Sequence, residues 1–405
     1  MNSTIELENQ YCAHNYHPLP VVLVRGEGVH VWDDAGNKYV DMMSAYSAVS
    51  HGHANPRLVK VLSVQAATLN IVSRAFHSDK LAPFLKRACE LTGQDMALPM
   101  NTGSEAVETA LKAARKWAYD VKGVAPDKAE IISCEGNFHG RSIAIVSLST
   151  DPVYKKGFGP FSSGMSTIAY GDPAALEAAI NENTAAFLVE PIQGEGGINI
   201  PPDGYLSKCA EICREHNVLL ICDEVQTGLG RTGTLLACEH DGVKPDGLIL
   251  GKALGGGILP VSLFLAKKEL MDVFQPGTHG STFGGNALAS AVGLEALNIL
   301  VEDELVEHSR EMGEYFLGLL QTIKSPLISD LRGRGLFIGM EIDPAMATAR
   351  EVCVRLMKKG LLSKETHETV VRFAPPLIVN RDQIAWAVDQ IRDVLADMDQ
   401  VAKAS

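Results

Sequence analysis

Lys252 keeps unusual company for a lysine. It follows the apolar run Leu248-Ile249-Leu250 and Gly251, and it precedes Ala253-Leu254-Gly255-Gly256-Gly257. That context puts it where a buried strand ends and the backbone can approach a ligand closely. Most lysines are solvated surface groups, but an amine kept from water has its pKa lowered, which frees it to attack a carbonyl. Asp223 ends the run Val218-Leu219-Leu220-Ile221-Cys222 in the same way. With enough chain between them for a crossover, both side chains emerge at the carboxyl ends of parallel strands, the edge where open α/β sheets bind ligands. Asn101-Thr102-Gly103-Ser104-Glu105 adds a third element. Thr102 and Glu105 are spaced as a capping box, so a helix starts directly after a strand and turns free N–H groups and a positive dipole end towards an anion. A capping box alone needs no anion, and an aspartate alone is as readily a helix cap; the pairing of Asp223 with Lys252 is what suggests one shared purpose.

A carboxylate at that edge can keep a pyridine nitrogen protonated, which maintains pyridoxal phosphate as an electron sink. Two other glycine motifs argue for rival chemistries and fail on context. Gly228-Leu229-Gly230-Arg231-Thr232-Gly233 has the GxGxxG spacing of a nicotinamide-dependent oxidoreductase. Its first glycine, however, comes several residues after the strand, and no long amphipathic helix opens on its last. Gly251-Lys252 resembles the end of a nucleotide-binding loop, but Ala253 stands where Ser or Thr should meet magnesium.

The elements that must position these residues follow from periodicity. From about Asp95 onward, short apolar runs alternate with helical patterns, the signature of βαβ units and a mainly parallel sheet. Strands are expected at Met96–Met100, Glu130–Ser133, Ala185–Val189, Val218–Cys222, Gly247–Leu250 and Val261–Leu265. A helix is expected over Ser104–Tyr119, where Val107, Ala110, Leu111, Ala114 and Trp117 share one face. A long helical pattern, Ala287–Leu300, leads into a segment of different character. That segment holds strand-like runs at Leu336–Ile342 and Val370–Phe373 and a closing helix at Arg381–Met398. The fold class is α/β: a large domain with a mainly parallel sheet between helices, plus a smaller α+β domain. The expected division is an N-terminal segment (1–44) packing with the small domain, a large domain (45–286), and a linking helix with the small domain (287–405).

With 405 residues, the chain exceeds what one core usually supports. A composition of 46% hydrophobic and 21% charged residues is that of a globular protein. The net charge of −13, with no dense basic run, argues against nucleic acid. The cysteines, at 12, 89, 134, 209, 213, 222, 238 and 353, form no CxxC pair and are expected to be reduced and mostly buried. Cys209 and Cys213 share a helix face as half a metal site would, but no further Cys or His cluster follows, and no metal is assigned. Met1–Asn9 carries neither a signal nor a presequence pattern, and no window approaches a membrane span, so a cytoplasmic protein is expected.

Over nearly its whole length the chain resembles the class III, or fold type I, pyridoxal-phosphate aminotransferases, most of all their ornithine-specific branch. The resemblance is carried by AHNYHPLP from Ala13, AYSAVSHGH from Ala45, PMNTGSEAVETALK from Pro99, GNFHGR from Gly136, VEPIQGEGG from Val189, CDEVQTGLGRTG from Cys222, LGKALGGG from Leu250, GSTFGGN from Gly280 and RFAPPL from Arg372. It implies that Lys252 carries pyridoxal 5′-phosphate as a Schiff base and moves the proton, and that Asp223 partners the pyridinium nitrogen. Phe138 would stack on the ring, Val225 pack on its other face and Gln226 contact the phenolic oxygen. Gly103 and Ser104 of one subunit would share the phosphate with Thr282, beside Ser281, of the other, so a homodimer with shared active sites, or a higher oligomer, is implied. Tyr16 and Arg141 would take the α-amino and α-carboxylate end of L-ornithine, with Tyr46 lining the pocket. Arg372 would take the α-carboxylate of L-glutamate or 2-oxoglutarate and pair with Glu195 when ornithine is bound. The implied reaction is ping-pong transfer of the δ-amino group of ornithine to 2-oxoglutarate, between arginine breakdown and proline synthesis. One departure is His139 after Phe138, a position where the ornithine branch often has a larger aromatic residue and acetylornithine aminotransferases have histidine. Acetylornithine or 4-aminobutyrate transamination is therefore the nearest alternative, while Tyr16 and Tyr46 favour ornithine.

Overall fold

A computed structural model describes residues 3–404, and their side chains through residue 400. Met1, Asn2 and Ser405, at the ends of the first and last expected segments, lie outside the described residues.

After the helix Ser3–Tyr11, the chain forms β1 (Leu23–Glu27), β2 (His30–Asp33) and β3 (Lys38–Asp41). Gly28 makes the β1–β2 turn at φ 59°, a conformation open to glycine at no steric cost. The next strands are β4 (Met96–Met100), β5 (Glu130–Cys134), β6 (Met165–Ile168), β7 (Thr184–Val189), β8 (Leu219–Asp223), β9 (Gly247–Leu250) and β10 (Ser262–Ala266). The C-terminal part adds β11 (Ile328–Arg334), β12 (Phe337–Ile342), β13 (Leu361–Leu362), β14 (Lys364–Thr366) and β15 (Val370–Phe373).

Strands β4 to β10 make one seven-stranded sheet in the order β4-β10-β9-β8-β7-β5-β6. Neighbours from β9 through β6 pair in parallel, whereas β10 runs antiparallel to both β9 and β4. The sheet is buried on both faces, which is why its strands read as continuous apolar runs rather than alternating ones. Successive residues point to opposite faces. Ile131, Leu188, Ile221 and Ile249 meet Val107, Ala110, Leu111 and Ala114 of the helix Gly103–Trp117 on one side. Ile132, Phe187, Leu220 and Leu248 belong to the core on the other side, with Cys209 and Ile212 of the helix Tyr205–Glu215 and Val292 of the helix Ala287–Glu302. Cys209 and Cys213 are thus buried core thiols, and no group of metal-type ligands occurs among the described residues.

The six expected strands of this sheet lie within a residue or so of their places, and the closing helix runs further, Arg381–Ala404. The expected helix to Tyr119 stays α-helical only to Trp117 and widens into a π turn over Ala118–Lys122. The strand β6 was not anticipated, because MSTI is short, half polar and only partly buried. Two smaller sheets complete the fold. One has the order β1-β2-β3-β13, so the N-terminal strands join a C-terminal one, and the other has the order β11-β12-β15-β14. No helix among the described residues is long and apolar enough to cross a membrane.

Candidate active site

The carboxyl edge of the large sheet collects the polar residues. Asp223 is the last residue of β8 and is buried. Lys252 follows β9 by two residues and opens a short 3-10 turn at φ 44°. A Cβ on Gly256, which caps the end of that turn (φ 62°), would meet Leu58 at 2.7 Å, so the glycines after Lys252 let the loop fold tightly against its neighbours. Between these strand ends lies a cavity of about 180 Å³ bordered by Gly103, Ser104, Phe138, Asp223, Val225 and Lys252. Gln226 borders it too. Val225 packs against both Gly103 and Gly251, where added Cβ atoms would stand 3.0 and 3.2 Å from its Cγ1.

Burial lowers the pKa of the Lys252 amine, and the nearby Arg372 charge adds to this while Glu195 and Asp223 oppose it. An uncharged amine is what attack on a carbonyl requires. Asp223 Oδ1 accepts the Val225 N–H at 3.1 Å, and its Oδ2 lies 2.7 Å from His139 Nδ1. His139 Nε2 in turn lies 3.0 Å from Ser133 Oγ. Burial works against a charge on His139, but the hydrogen bond to Asp223 and the charges of Asp223 and Glu190 outweigh it and raise its pKa. Glu190, directly after β7, accepts the Phe138 N–H at 2.9 Å. Burial pushes its pKa up to about 7, with Asp223 adding to this and His139 opposing. The sequence reading treated His139 only as a departure from a pattern and passed over Glu190. Glu190 had a usable signal, since it directly follows a strand of the same sheet edge that Asp223 ends, and His139 stands in the loop after β5.

The capping box expected at Thr102 is present: Thr102 Oγ1 accepts the Glu105 N–H at 3.3 Å, and the Glu105 carboxylate accepts the Thr102 N–H at 2.7 Å. The first-turn N–H groups of Gly103 and Ser104 are left at the cavity wall, as suits an anion. The chain closes round this corner so tightly that a Cβ on Gly140 would lie 2.3 Å from Ser104 Oγ. Ser281 Oγ accepts hydrogen bonds from Asn101 Nδ2 (3.1 Å) and the Gly284 N–H (3.0 Å), which ties its loop to the start of the same helix. Thr282 is exposed and does not border the cavity of its own chain.

Towards solvent the structure brings the other candidates together in two groups. Arg372, on β15, is buried and forms an ion pair with Glu195, Nη1 to Oε1 at 2.6 Å. Burial disfavours a charge on Glu195, yet the Arg372 and Lys252 charges hold its carboxyl below the usual range. Tyr46 presents its ring to Arg372, with Cζ 5.0 Å from the centroid. The second group is Arg141, stacked 5.4 Å from the Phe138 ring and 4.1 Å from that of Tyr154, a residue the sequence reading missed. Tyr16, on the N-terminal segment, is 68% exposed.

The donor set fits a phosphorylated pyridine ring with a carbonyl. The Gly103–Ser104 corner suits the phosphate, Asp223 the ring nitrogen and Lys252 the carbonyl. Gln226 Nε2, buried without a partner in hydrogen-bond geometry although its side chain helps keep Glu195 charged, offers a donor for a ring oxygen. A sheet edge of this kind belongs to the fold type I pyridoxal-phosphate enzymes, and the architecture around it is theirs. Residues 11–395 match the family described as aminotransferase class-III, and the chain belongs to that family. An ornithine aminotransferase of Geobacillus sp. (strain WCH70) is 56% identical over 392 residues, covering 97% of this chain and 98% of the relative. The solved ornithine aminotransferase of Toxoplasma gondii, with PLP at partial occupancy in its active site, has a TM-score of 0.97 at 45% identity, covering 99% of this chain and 95% of that one. An acetylornithine aminotransferase from Elizabethkingia anophelis has a TM-score of 0.88 at 46% identity, covering 97% and 98%.

Proposed function

We infer that the chain transfers the δ-amino group of L-ornithine to 2-oxoglutarate, giving L-glutamate and glutamate 5-semialdehyde, which cyclises to pyrroline-5-carboxylate. The cofactor is pyridoxal 5′-phosphate, which supplies an electron sink for the carbanion formed when an amine loses a proton. The observation that carries this reading is the Arg372–Glu195 pair, with Arg372 buried and Glu195 half-buried, beside Lys252 and Tyr46. A free guanidinium there would favour any donor with a carboxylate at that depth. Pairing masks it while ornithine enters by its δ-amino end, and 2-oxoglutarate then displaces Glu195 to reach the planar fork.

The other residues do the remaining work. Lys252 Nζ takes and returns the proton, and burial, by lowering its pKa, favours the uncharged amine that can accept one. Asp223, held by its contact with His139, would keep a proton at the ring nitrogen, Phe138 and Val225 would hold the ring from either side, and Gln226 would offer a donor to its oxygen. Arg141 and Tyr16 receive the α-carboxylate and α-amino group of ornithine. Gly103 and Ser104 take the phosphate with Thr282 and Ser281 of a second copy, so the working form is a homodimer, in the cytoplasm. We divide the chain as an N-terminal segment (1–44), a large cofactor-binding domain (45–286) and a small domain with its linking helix (287–405).

Acetylornithine transamination is the second reading, favoured by His139 after Phe138. Half-reactions of the holoenzyme with ornithine, N-acetylornithine and 4-aminobutyrate, followed by the cofactor's visible absorption band, separate the two. Ornithine is expected to be the fastest by a wide margin, and a faster reaction with N-acetylornithine would overturn the assignment.

A further inference from the structure

Ser44, Ala45, Tyr46 and Ser47 are consecutive non-glycine residues in the left-handed region, with φ of 42°, 48°, 60° and 73°. Crowding of Cβ against the following carbonyl makes this conformation unfavourable for L-residues, and it normally occurs one residue at a time. Backbone strain of this kind persists only where the surroundings over-determine it, and it gathers at ligand clamps. The strained turn carries Tyr46, whose ring lies against Arg372.

The turn is fastened at several points. Asp41 Oδ1 accepts the N–H groups of Met43 (2.8 Å) and Ser44 (2.9 Å), while its Oδ2 lies 2.7 Å from His53 Nε2. The buried Ser44 hydroxyl donates to Ala374 O at 2.6 Å, and the Ala374 N–H donates to Met42 O at 2.7 Å. The chain that holds Tyr46 is therefore bonded directly to the end of the strand that holds Arg372. The last fastening is Arg231, which is fully buried. Its Nη1 donates to Leu336 O (2.9 Å) and Pro375 O (2.6 Å), and its Nη2 donates to Ser50 Oγ (3.0 Å) and Ser44 Oγ (3.3 Å). These partners are carbonyls and hydroxyls, not a carboxylate, so the buried cation gains no ion-pair partner; what it gains is a rigid fork joining separate segments. The glycines flanking it serve its delivery. Gly233 (φ 86°) lies so near Arg310 that a Cβ would stand 3.0 Å from its Cα, and Gly230 (φ 90°) leaves 3.2 Å to Leu300. The GxGxxG spacing thus has a use other than binding a dinucleotide.

We propose that Arg231 is a positioning residue for substrate selection: by joining Ser44 and Ser50 to Leu336 and Pro375 it locks the left-handed turn that holds Tyr46 against Arg372, and so sets which donor the Arg372 end accepts. The proposal rests on the ornithine reading above. With the lock loosened, Tyr46 no longer covers the guanidinium. The Arg372–Glu195 pair then opens more readily to a carboxylate, and ornithine loses a wall of its pocket.

The test is the ratio of glutamate to ornithine half-reaction rates in the holoenzyme and in Arg231→Lys, Tyr46→Ala and the double variant. Arg231→Lys is expected to raise the ratio roughly tenfold, mainly through the apparent KM for ornithine, with the cofactor's absorption band and retention unchanged. In the Tyr46→Ala background the same substitution is expected to leave the ratio where it is. Equal losses on both substrates, or the same shift with and without Tyr46, would overturn the proposal and leave Arg231 a structural residue. If Arg231→Lys does not fold, Ser50→Ala, which removes the nearer of its two hydroxyl acceptors and leaves the Ser44–Ala374 hydrogen bond in place, decides: the ratio is expected to rise, and an unmoved ratio overturns the proposal. Failure of the unsubstituted enzyme to turn over ornithine would instead sink the functional reading.

Discussion

Replacing Glu195 by glutamine removes one charge and almost no volume, so it isolates what the carboxylate does. The Arg372 side chain is 2% exposed and that of Glu195 is 22% exposed, with 2.6 Å between the charged atoms. Stripping a partner from a fully buried pair costs about 3–5 kcal/mol, because the remaining charge is left uncompensated. Glutamine still accepts one hydrogen bond and water reaches the Glu195 side, so the loss is nearer the about 1.5–3 kcal/mol of a charge-assisted hydrogen bond. That loss falls unequally. With ornithine bound, Arg372 stays unpaired in the variant. With glutamate bound, the substrate carboxylate restores the pair and no longer has to displace a competitor. The ratio of glutamate to ornithine half-reaction rates should therefore rise about 10- to 100-fold, at about 1.4 kcal/mol per tenfold. Single-turnover rapid mixing with each donor measures it, and Arg372→Ala in a double-mutant cycle should move the ratio the other way. Stability gives an independent readout. The Glu195 carboxyl is held below its ordinary range. Its contribution is therefore complete above the pKa of an unfolded carboxyl and is lost as the pH falls through the depressed folded value. The destabilisation by Glu195→Gln should accordingly shrink in acid. An unchanged donor ratio would refute the switch and leave Glu195 an ordinary structural carboxylate.

Lys252→Ala is expected to abolish turnover with the fold intact, and borohydride reduction of the holoenzyme followed by peptide mapping should label Lys252 and no other lysine. Thr282→Ala should weaken cofactor retention, and a monomer isolated by size-exclusion chromatography should be inactive; full activity in that monomer would remove the shared site. The raised pKa of Glu190, from 4.5 to about 7, means that the folded protein keeps a proton the unfolded chain releases, so this group makes stability fall as pH rises through that window. At about 1.4 kcal/mol per unit the effect is at most about 3.5 kcal/mol, reduced by coupling to His139 and Asp223. Glu190→Gln should remove it, so the Tm of the variant relative to the parent should climb between about pH 4.5 and pH 7; parallel Tm curves would contradict the assignment.

The large sheet was legible because burial on both faces forces continuous apolar strands, and the same runs point to Asp223 and Lys252 as the residues where those strands stop. The capping box at Thr102 and Glu105 was legible for a similar reason, since the spacing of a helix start is local. What the sequence hides is non-local or strained. His139 and Asp223 touch across 84 residues of chain. The left-handed turn at Ser44–Ser47 contains no glycine to announce it. Arg231 lies in a stretch whose glycine spacing imitates another motif, and the structure places only the short 3-10 turn Ala237–Asp241 after it, with its first glycine well past the end of β8. The antiparallel β10 was invisible too, because a buried apolar run carries no sign of its direction.

The two ends of the pocket are built differently. At one end Arg372 sits in a buried strand, paired with Glu195 and covered by Tyr46, and Ala374 just after that strand accepts a hydrogen bond from Ser44. Its geometry is set before any ligand arrives, which suits the role proposed for it, recognition of the same dicarboxylate in every catalytic cycle. At the other end Arg141 and Tyr16 are exposed, and Arg141 rests on the flat faces of Phe138 and Tyr154 instead of in a carboxylate's grip. Such an end is completed by the ligand itself. On the proposed roles, substitutions there are expected to change which amine is accepted while leaving the fold and the Arg372 end in place, since function lives in sites grafted onto a fold. The choice between ornithine and acetylornithine then falls first to Tyr16 and Arg141, whereas His139 touches Asp223 at the sheet edge.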